Sequence, residues 1–144
     1  MESKELVDKC IEICDNHKAE NIVVFDVREK STIADYYLFC SGNSDIHIGA
    51  LAGSLEKELK RDFELKARAV EGTPASRWVL VDFSDVLVHI FHPQTRKHYA
   101  IERLHRDSPV IHPDDYQVPA AASDAAAEED VAAATGDQRP DFLQ

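Results

Sequence analysis

Apolar residues recur at helical spacing from Lys4 to Ala19, where Leu6, Val7, Cys10, Ile11, Ile13 and Cys14 are separated by charges. That pattern predicts an amphipathic helix made to lie on a sheet. Asn21 to Val27 (NIVVFDV) is a nearly continuous apolar run, as expected of a central strand buried on both faces. A polar excursion, Arg28 to Ile33, separates it from a second strand at Tyr36 to Cys40, which runs into a turn at Ser41-Gly42-Asn43. Ser44 suits the N-cap of a long helix from Asp45 to about Arg61, with Asp45 near its positive end and Ile48, Leu51, Ala52, Leu55 and Leu59 as its apolar stripe. Lys66 to Val70 alternates as a short edge strand does, and Glu71 to Ser76, with Gly72 and Pro74, is expected to be a loop.

Arg77 to His92 (RWVLVDFSDVLVHIFH) reads as a β-hairpin around a two-residue turn, Ser84-Asp85. In that register Phe83 meets Val86, Val81 meets Val88 and Val79 meets Ile90, so one face is uniformly apolar and belongs to the core. The other face sets Trp78 opposite Phe91, Leu80 opposite His89 and Asp82 opposite Leu87, a mixture that a pure core rarely chooses. Pro93 to Lys97 suits a helical turn, after which Tyr99, Ile101 and Leu104 are expected to pack back onto a folded unit ending near His112. This order of elements indicates an α+β fold, a mixed sheet of about five strands with two main helices on one face. Two helices cover one face of such a sheet, and the chain offers no third long helix for the other. The alternative is a two-sided sheet whose mixed face lies under a second helical layer of the same chain; with no third long helix on offer, that face is expected rather to await a partner, or, in a homodimer, a second copy of itself.

Composition changes this picture at one end. With 144 residues and 44% hydrophobic content, the chain suits one core. The net charge of −11 is unevenly spread: Met1 to His112 holds 15 basic and 19 acidic residues, Pro113 to Gln144 holds 1 and 8. Residues 1–112 are read as a mildly acidic domain and residues 113–144 as an acidic, Ala-rich tail expected to be disordered. No apolar run approaches the roughly 18 residues of a membrane span, and Met1 to Lys9 lacks the order of a signal peptide, so a cytoplasmic protein is expected. Three cysteines in such a chain are expected to be reduced and to pack as small hydrophobes.

Candidate chemistry is sparse. The turn Ser41-Gly42-Asn43-Ser44-Asp45 opens a helix and could present amides to a phosphate, which makes nucleotide binding or nucleotidyl transfer the runner-up function. Holding Mg²⁺ there would take two carboxylates two residues apart on a strand, and neither Asp82-Phe83-Ser84 nor Asp26 with Arg28 supplies them. His89 and His92 point to opposite faces and cannot share an ion, His98, His105 and His112 read with them as isolated surface or interface side chains, and no GxSxG elbow is present. A dense basic stripe is also missing, which argues against nucleic-acid readout and for a basic protein partner. No catalytic residue, metal ligand or cofactor is expected.

NIVVFDVREKSTIADYYLFCSGNSDIHIGALAGSLEKEL, then EG, RWVLVDFSDVLVHIFHP and YAIERL, together resemble the ribosomal silencing factor family, also called Iojap, over about Lys4 to Leu104. The resemblance implies a small domain of nucleotidyltransferase-like topology without the catalytic carboxylates, a binder and not an enzyme. It implies docking on the large ribosomal subunit through large-subunit ribosomal protein fourteen, blocking the small subunit from joining, with organellar relatives acting in large-subunit assembly. By position, the family's recurrent surface residues correspond to Asp35, Tyr36 and Ser41, to Trp78, Asp82, His89 and Phe91, and to Tyr99, Glu102 and Leu104. In the contact so implied, Trp78 and Phe91 are the apolar anchors with Leu80 filling between them, Asp82 and Glu102 meet basic side chains, and His89 hydrogen-bonds at the rim. His105 stands where relatives commonly carry an aromatic, and the acidic tail is no part of the common pattern.

Overall fold

A computed structural model describes residues 1–105 and 107–113; the acidic segment from 114 onward lies outside the described residues. Three helices, α1 (Ser3–Asn16), α2 (Asp45–Phe63) and α3 (Pro93–Tyr99), accompany six strands: β1 (Glu20–Asp26), β2 (Tyr36–Ser41), β3 (Ala69–Thr73), β4 (Trp78–Asp82), β5 (Val86–Phe91) and β6 (Val110–Pro113). They form one mixed sheet in the order β3-β4-β5-β2-β1-β6. Only β2 and β5 run parallel, and the crossover between them carries α2 and the β3–β4 pair. The α+β reading holds.

The hairpin register is the expected one, with Trp78 opposite Phe91, Val79 opposite Ile90, Leu80 opposite His89, Val81 opposite Val88 and Asp82 opposite Leu87. Asp82 tightens the turn by accepting the Ser84 amide at 2.7 Å. On the apolar face α1 packs on β1, β2 and β5 while α2 packs on β4 and β5. Leu6, Cys10, Ile13, Cys14, Leu51, Leu55 and Leu59 meet Val79, Val81, Val88, Ile90, Leu38 and Cys40 there in a continuous core. Cys10, Cys14 and Cys40 are fully buried in it, and burial pushes the Cys10 thiol up to about 12. A thiol so shifted stays protonated and packs as an apolar group.

Three features depart from the sequence reading. The edge strand begins at Ala69 instead of Lys66 and runs to Thr73, after which Pro74–Ser76 form a 3-10 turn closed by reciprocal Thr73 and Ser76 side-chain bonds. Its side chains are mostly exposed, so no apolar alternation marked its register, which pairing with β4 decides. A sixth strand, β6, lies against β1 on the far edge. The largest departure concerns the mixed face of the sheet, which α3 and a 3-10 turn at Ile101–His105 cover.

Gly42 and Gly53 show opposite uses of a missing side chain. A Cβ on Gly42 would stand 2.9 Å from Ile48 Cγ1 and 3.1 Å from the Ile48 amide nitrogen, so the close approach of the turn to α2 requires glycine. A Cβ on Gly53, inside α2, meets nothing within 4 Å. Gly42→Ala is expected to destabilise the fold by about 1–3 kcal/mol through overpacking. Gly53→Ala is expected to stabilise it by about 1 kcal/mol through helix propensity. Urea unfolding of the two variants checks the pair, and a shift of the same sign in both would contradict this assignment.

Candidate partner-binding face

Alternation places Val23, Phe25, Phe39, Trp78 and Phe91 on the sheet face opposite α1 and α2, where with Val27 they form a second core. Trp78 lies 4.4 Å from Phe91 between ring centroids, and Tyr99 of α3 closes over it at 5.3 Å. His89 stacks on Phe39 at 4.8 Å, and His105, from the 3-10 turn, reaches Tyr37 at 4.7 Å and Phe39 at 5.9 Å. Trp78 and Phe91 are both fully buried, so their expected exposure as anchors at the centre of a contact is corrected. Seven residues of helix and one 3-10 turn suffice as a lid, so a third long helix is not needed.

A buried ion pair fastens the lid. Arg96 of α3 meets Glu102 with two parallel bonds, Nε to Oε1 at 2.6 Å and Nη2 to Oε2 at 2.9 Å, and the two side chains are 2% and 1% exposed. Nη1 of the same guanidinium donates to the Asn21 carbonyl at 2.8 Å and to Ser41 Oγ at 3.0 Å. One side chain thus joins α3, the 3-10 turn, the start of β1 and the end of β2. The planar fork of arginine and its five donors make this possible, and lysine could not replace it. Glu102 and Ser41 are therefore structural, which corrects their assignment as surface contacts, and Arg96 was missed. Its signal was weak because residues 96 and 102 stand six apart and share no helix face.

Asp82 is also buried, at 7% exposure, and its carboxylate accepts from Arg68 Nη2 at 2.8 Å and Nε at 3.1 Å as well as from the turn amide. It holds Arg68, whose own side chain is 66% exposed, at the surface; the charge there is the arginine's. Tyr36 belongs to the main core with the Arg28 guanidinium 5.5 Å from its ring, and Asp35, half-buried, donates its amide to the Asp85 carbonyl. The side chain of Leu104 lies outside the described residues.

What stays open on this face is its β3–β4–β5 side. Register brings Glu71, Leu80 and His89 into one row and Ala69, Asp82, Leu87 and Tyr37 into the next. Leu80 is just buried, Leu87, His89, Tyr37 and Tyr99 are half-buried, and Glu71 and Arg68 are exposed. On the β6 edge Val110, 43% exposed, pairs with Phe25 and adds an apolar side chain there. The arrangement is a shallow apolar strip with a charged rim, backed by rigid aromatics, and it is suited to recognition.

The glycine turn before α2 is internally occupied. Ser44 Oγ accepts the His47 amide at 3.1 Å, and His47 Nδ1 accepts the Asn43 amide at 3.0 Å. Two donors that a phosphate would use are already bonded, and Gly42 is explained by its packing on Ile48. Among the described residues no group of three or more His, Cys, Asp or Glu side chains converges as a metal site would require.

Trp78 Nε1 donates to His89 Nδ1 at 3.1 Å, which sets the neutral imidazole with its proton on Nε2. Burial, reinforced by His105, pushes His89 down to about 3, and burial also lowers His105. The unfolded chain then takes up the proton first, so the stabilisation is complete above the ordinary histidine value near 6.5 and is lost as pH falls from there toward about 3. His89→Gln keeps an acceptor for the indole and removes the titration. Urea midpoints measured from pH 7 to 4.5 are expected to fall less steeply in the variant than in the wild type. Equal slopes would contradict the burial of a neutral His89.

A family model described as ribosomal silencing factor during starvation matches residues 1–139, beyond the segment Lys4 to Leu104 that carries the resemblance. The ribosomal silencing factor of Halalkalibacterium halodurans is 36% identical over 111 residues, which span 77% of this chain and 94% of that protein. The mouse protein named mitochondrial assembly of ribosomal large subunit protein 1 is 31% identical over 103 residues, 68% of this chain and 44% of that one. A crystal structure of a Chromobacterium violaceum protein superposes with a TM-score of 0.71 at 29% identity, covering 85% of this chain and 98% of that one.

Proposed function

The chain belongs to the ribosomal silencing factor family, and from that membership we propose that it binds the large ribosomal subunit through large-subunit ribosomal protein fourteen and keeps the small subunit from joining. The observation that carries the reading is the strip of Leu80, Leu87, His89 and Tyr37 left beside the lid, with Arg68 and Glu71 at its rim. Half-buried side chains fixed from below by Trp78, Phe39 and Phe91 lose little further freedom when covered, which favours a compact protein contact. Silencing by occupancy needs no turnover and no cofactor. In this reading Asp82 contributes by presenting Arg68, Tyr99 borders the contact, and Trp78 and Phe91 act through the shape of the strip. The proposal includes residence in the cytoplasm, which a ribosomal partner fits; no helix among the described residues is long and apolar enough to cross a membrane.

A second reading, assembly of the large subunit on the same surface, is favoured by the name of the mouse relative. Gradient profiles of cells lacking the protein separate the two: accumulating large-subunit precursors indicate assembly, whereas mature subunits with more joined ribosomes under starvation indicate silencing. Nucleotide binding at Ser41 to Asp45 has less support because the local amides are taken, and calorimetry with Mg²⁺-nucleotides is expected to be flat.

Sedimentation with purified large subunits tests the docking strip. Leu87→Glu is expected to weaken co-migration by tenfold or more, about 1.4 kcal/mol, with an unfolding midpoint close to the wild type because the side chain is already half in water. Trp78→Ala is expected to lower stability itself, by about 3–5 kcal/mol. Undiminished co-migration of Leu87→Glu would remove the strip, and failure of the wild type to co-migrate would remove the function.

A further inference from the structure

Tyr37, on the proposed docking strip, carries a hydroxyl whose hydrogen-bond roles the structure fixes. Alternation along β2 puts its side chain on the aromatic face, paired with Phe25 of β1 and Leu87 of β5. His105 and His89 both pack T-shaped against the ring, at 4.7 and 6.4 Å between centroids, and hold its plane. Tyr37 Oη stands 3.2 Å from Oγ of Ser31, in the turn that joins β1 to β2. Ser31 is anchored there by its own amide, which donates to the Val27 carbonyl at 2.8 Å. Either hydroxyl could supply the hydrogen between them, and the other contacts of Ser31 decide which one does. Its Oγ already accepts the Ile33 amide at 3.0 Å and the Ala34 amide at 3.4 Å. A serine hydroxyl has two lone pairs and one hydrogen. With both lone pairs engaged, Ser31 Oγ–H is the donor and Tyr37 Oη the acceptor. The phenolic hydrogen is then spare, and among the described residues no second partner takes it.

We propose that Tyr37 is a specificity-determining donor of the docking strip, delivering its phenolic hydrogen to an uncharged acceptor oxygen of the ribosomal partner, a backbone carbonyl or a side-chain amide. The inference rests on the docking proposed above and states what the partner must present at one point of it. The lysines and arginines expected of a basic partner carry only donors and cannot satisfy this group. A carboxylate is answered elsewhere in the same row: Asp82 holds Arg68 two strands away, whereas the immediate neighbour of Tyr37 is Leu87. Beside an apolar side chain, an uncharged oxygen costs less to strip of water than an ionised one. A partner surface with a donor or a methyl group at this point takes water from the phenol and returns nothing, and in that way one hydroxyl discriminates between partners. Ser31 is the positioning residue. A phenolic hydrogen lies near the ring plane on one side of its oxygen or the other; the Ser31 bond occupies one side and turns the hydrogen to the other.

Dissociation constants for purified large subunits, measured by pelleting across a titration of the full chain, test the assignment. Tyr37→Phe, which removes one oxygen and keeps the ring, is expected to bind about three- to tenfold more weakly, with a urea midpoint close to the wild type. Ser31→Ala is expected to weaken binding through the loss of direction, and Ser31→Thr, which keeps the hydroxyl, to bind as the wild type does. In the Tyr37→Phe background Ser31→Ala is expected to cost no further affinity, because the hydroxyl it directs is gone. Unchanged or tighter binding by Tyr37→Phe, while the wild type binds, would overturn the proposal and leave the docking strip in place. A loss from Ser31→Ala that is the same with and without the Tyr37 hydroxyl would overturn the positioning role, since damage to the turn alone acts in both backgrounds. Absence of wild-type binding would overturn both this proposal and the docking on which it rests.

Discussion

The pairing of Arg96 with Glu102 is the constraint on which the remainder of this structure depends. Two charges with almost no exposure are costly to bury, and they are tolerated because every arm of the guanidinium is used: two bonds to the carboxylate and two to the Asn21 carbonyl and Ser41 hydroxyl. Breaking such a pair from one side costs about 3–5 kcal/mol, because the charge left behind remains buried. A substantial part of the stability of a small domain is of this order. Geometry makes the pair more than a local contact. It fixes a seven-residue helix, too short to persist alone, against β1 and β2.

With the lid fixed, the sheet becomes two-sided. The first side is an ordinary helix-on-sheet core, and the second is an aromatic layer in which Trp78, Phe39, Phe91 and Phe25 are packed beneath Tyr99 and His105. That layer explains why a histidine is accommodated in it: His89 stays neutral, stacks on Phe39 and accepts the indole N–H, so none of its polar capacity facing Trp78 is wasted. Function moves accordingly. In the proposed contact the large aromatics shape and stiffen the surface, and recognition is assigned to smaller, half-covered neighbours along β4 and β5 and to the charges of Arg68 and Glu71 at the rim.

Much of this architecture was legible in the sequence. The hairpin register followed from strict alternation on its apolar face, and α1 and α2 followed from clear stripes capped, for α2, by Ser44. The α+β class and the family resemblance both held. What escaped has identifiable causes. β3 is an edge strand with exposed side chains, so its register rests on backbone pairing with β4 that leaves no apolar pattern. β6 is four residues long and ends in proline. The lid was hidden because Arg96 and Glu102 resemble solvated charges in sequence, and only the fold brings residues six apart into a buried fork. From that omission followed the exposed role assigned to Trp78 and Phe91.

Trp78 is the chain's one tryptophan, which makes its environment directly readable. Acrylamide quenching of its fluorescence, in the free protein and again with saturating large subunits, tests the claim that the mixed face is closed by its own chain. Full burial predicts blue-shifted emission and slow quenching in both states. Rapid quenching in the free protein, suppressed when subunits bind, would contradict the buried layer and return Trp78 to the contact surface.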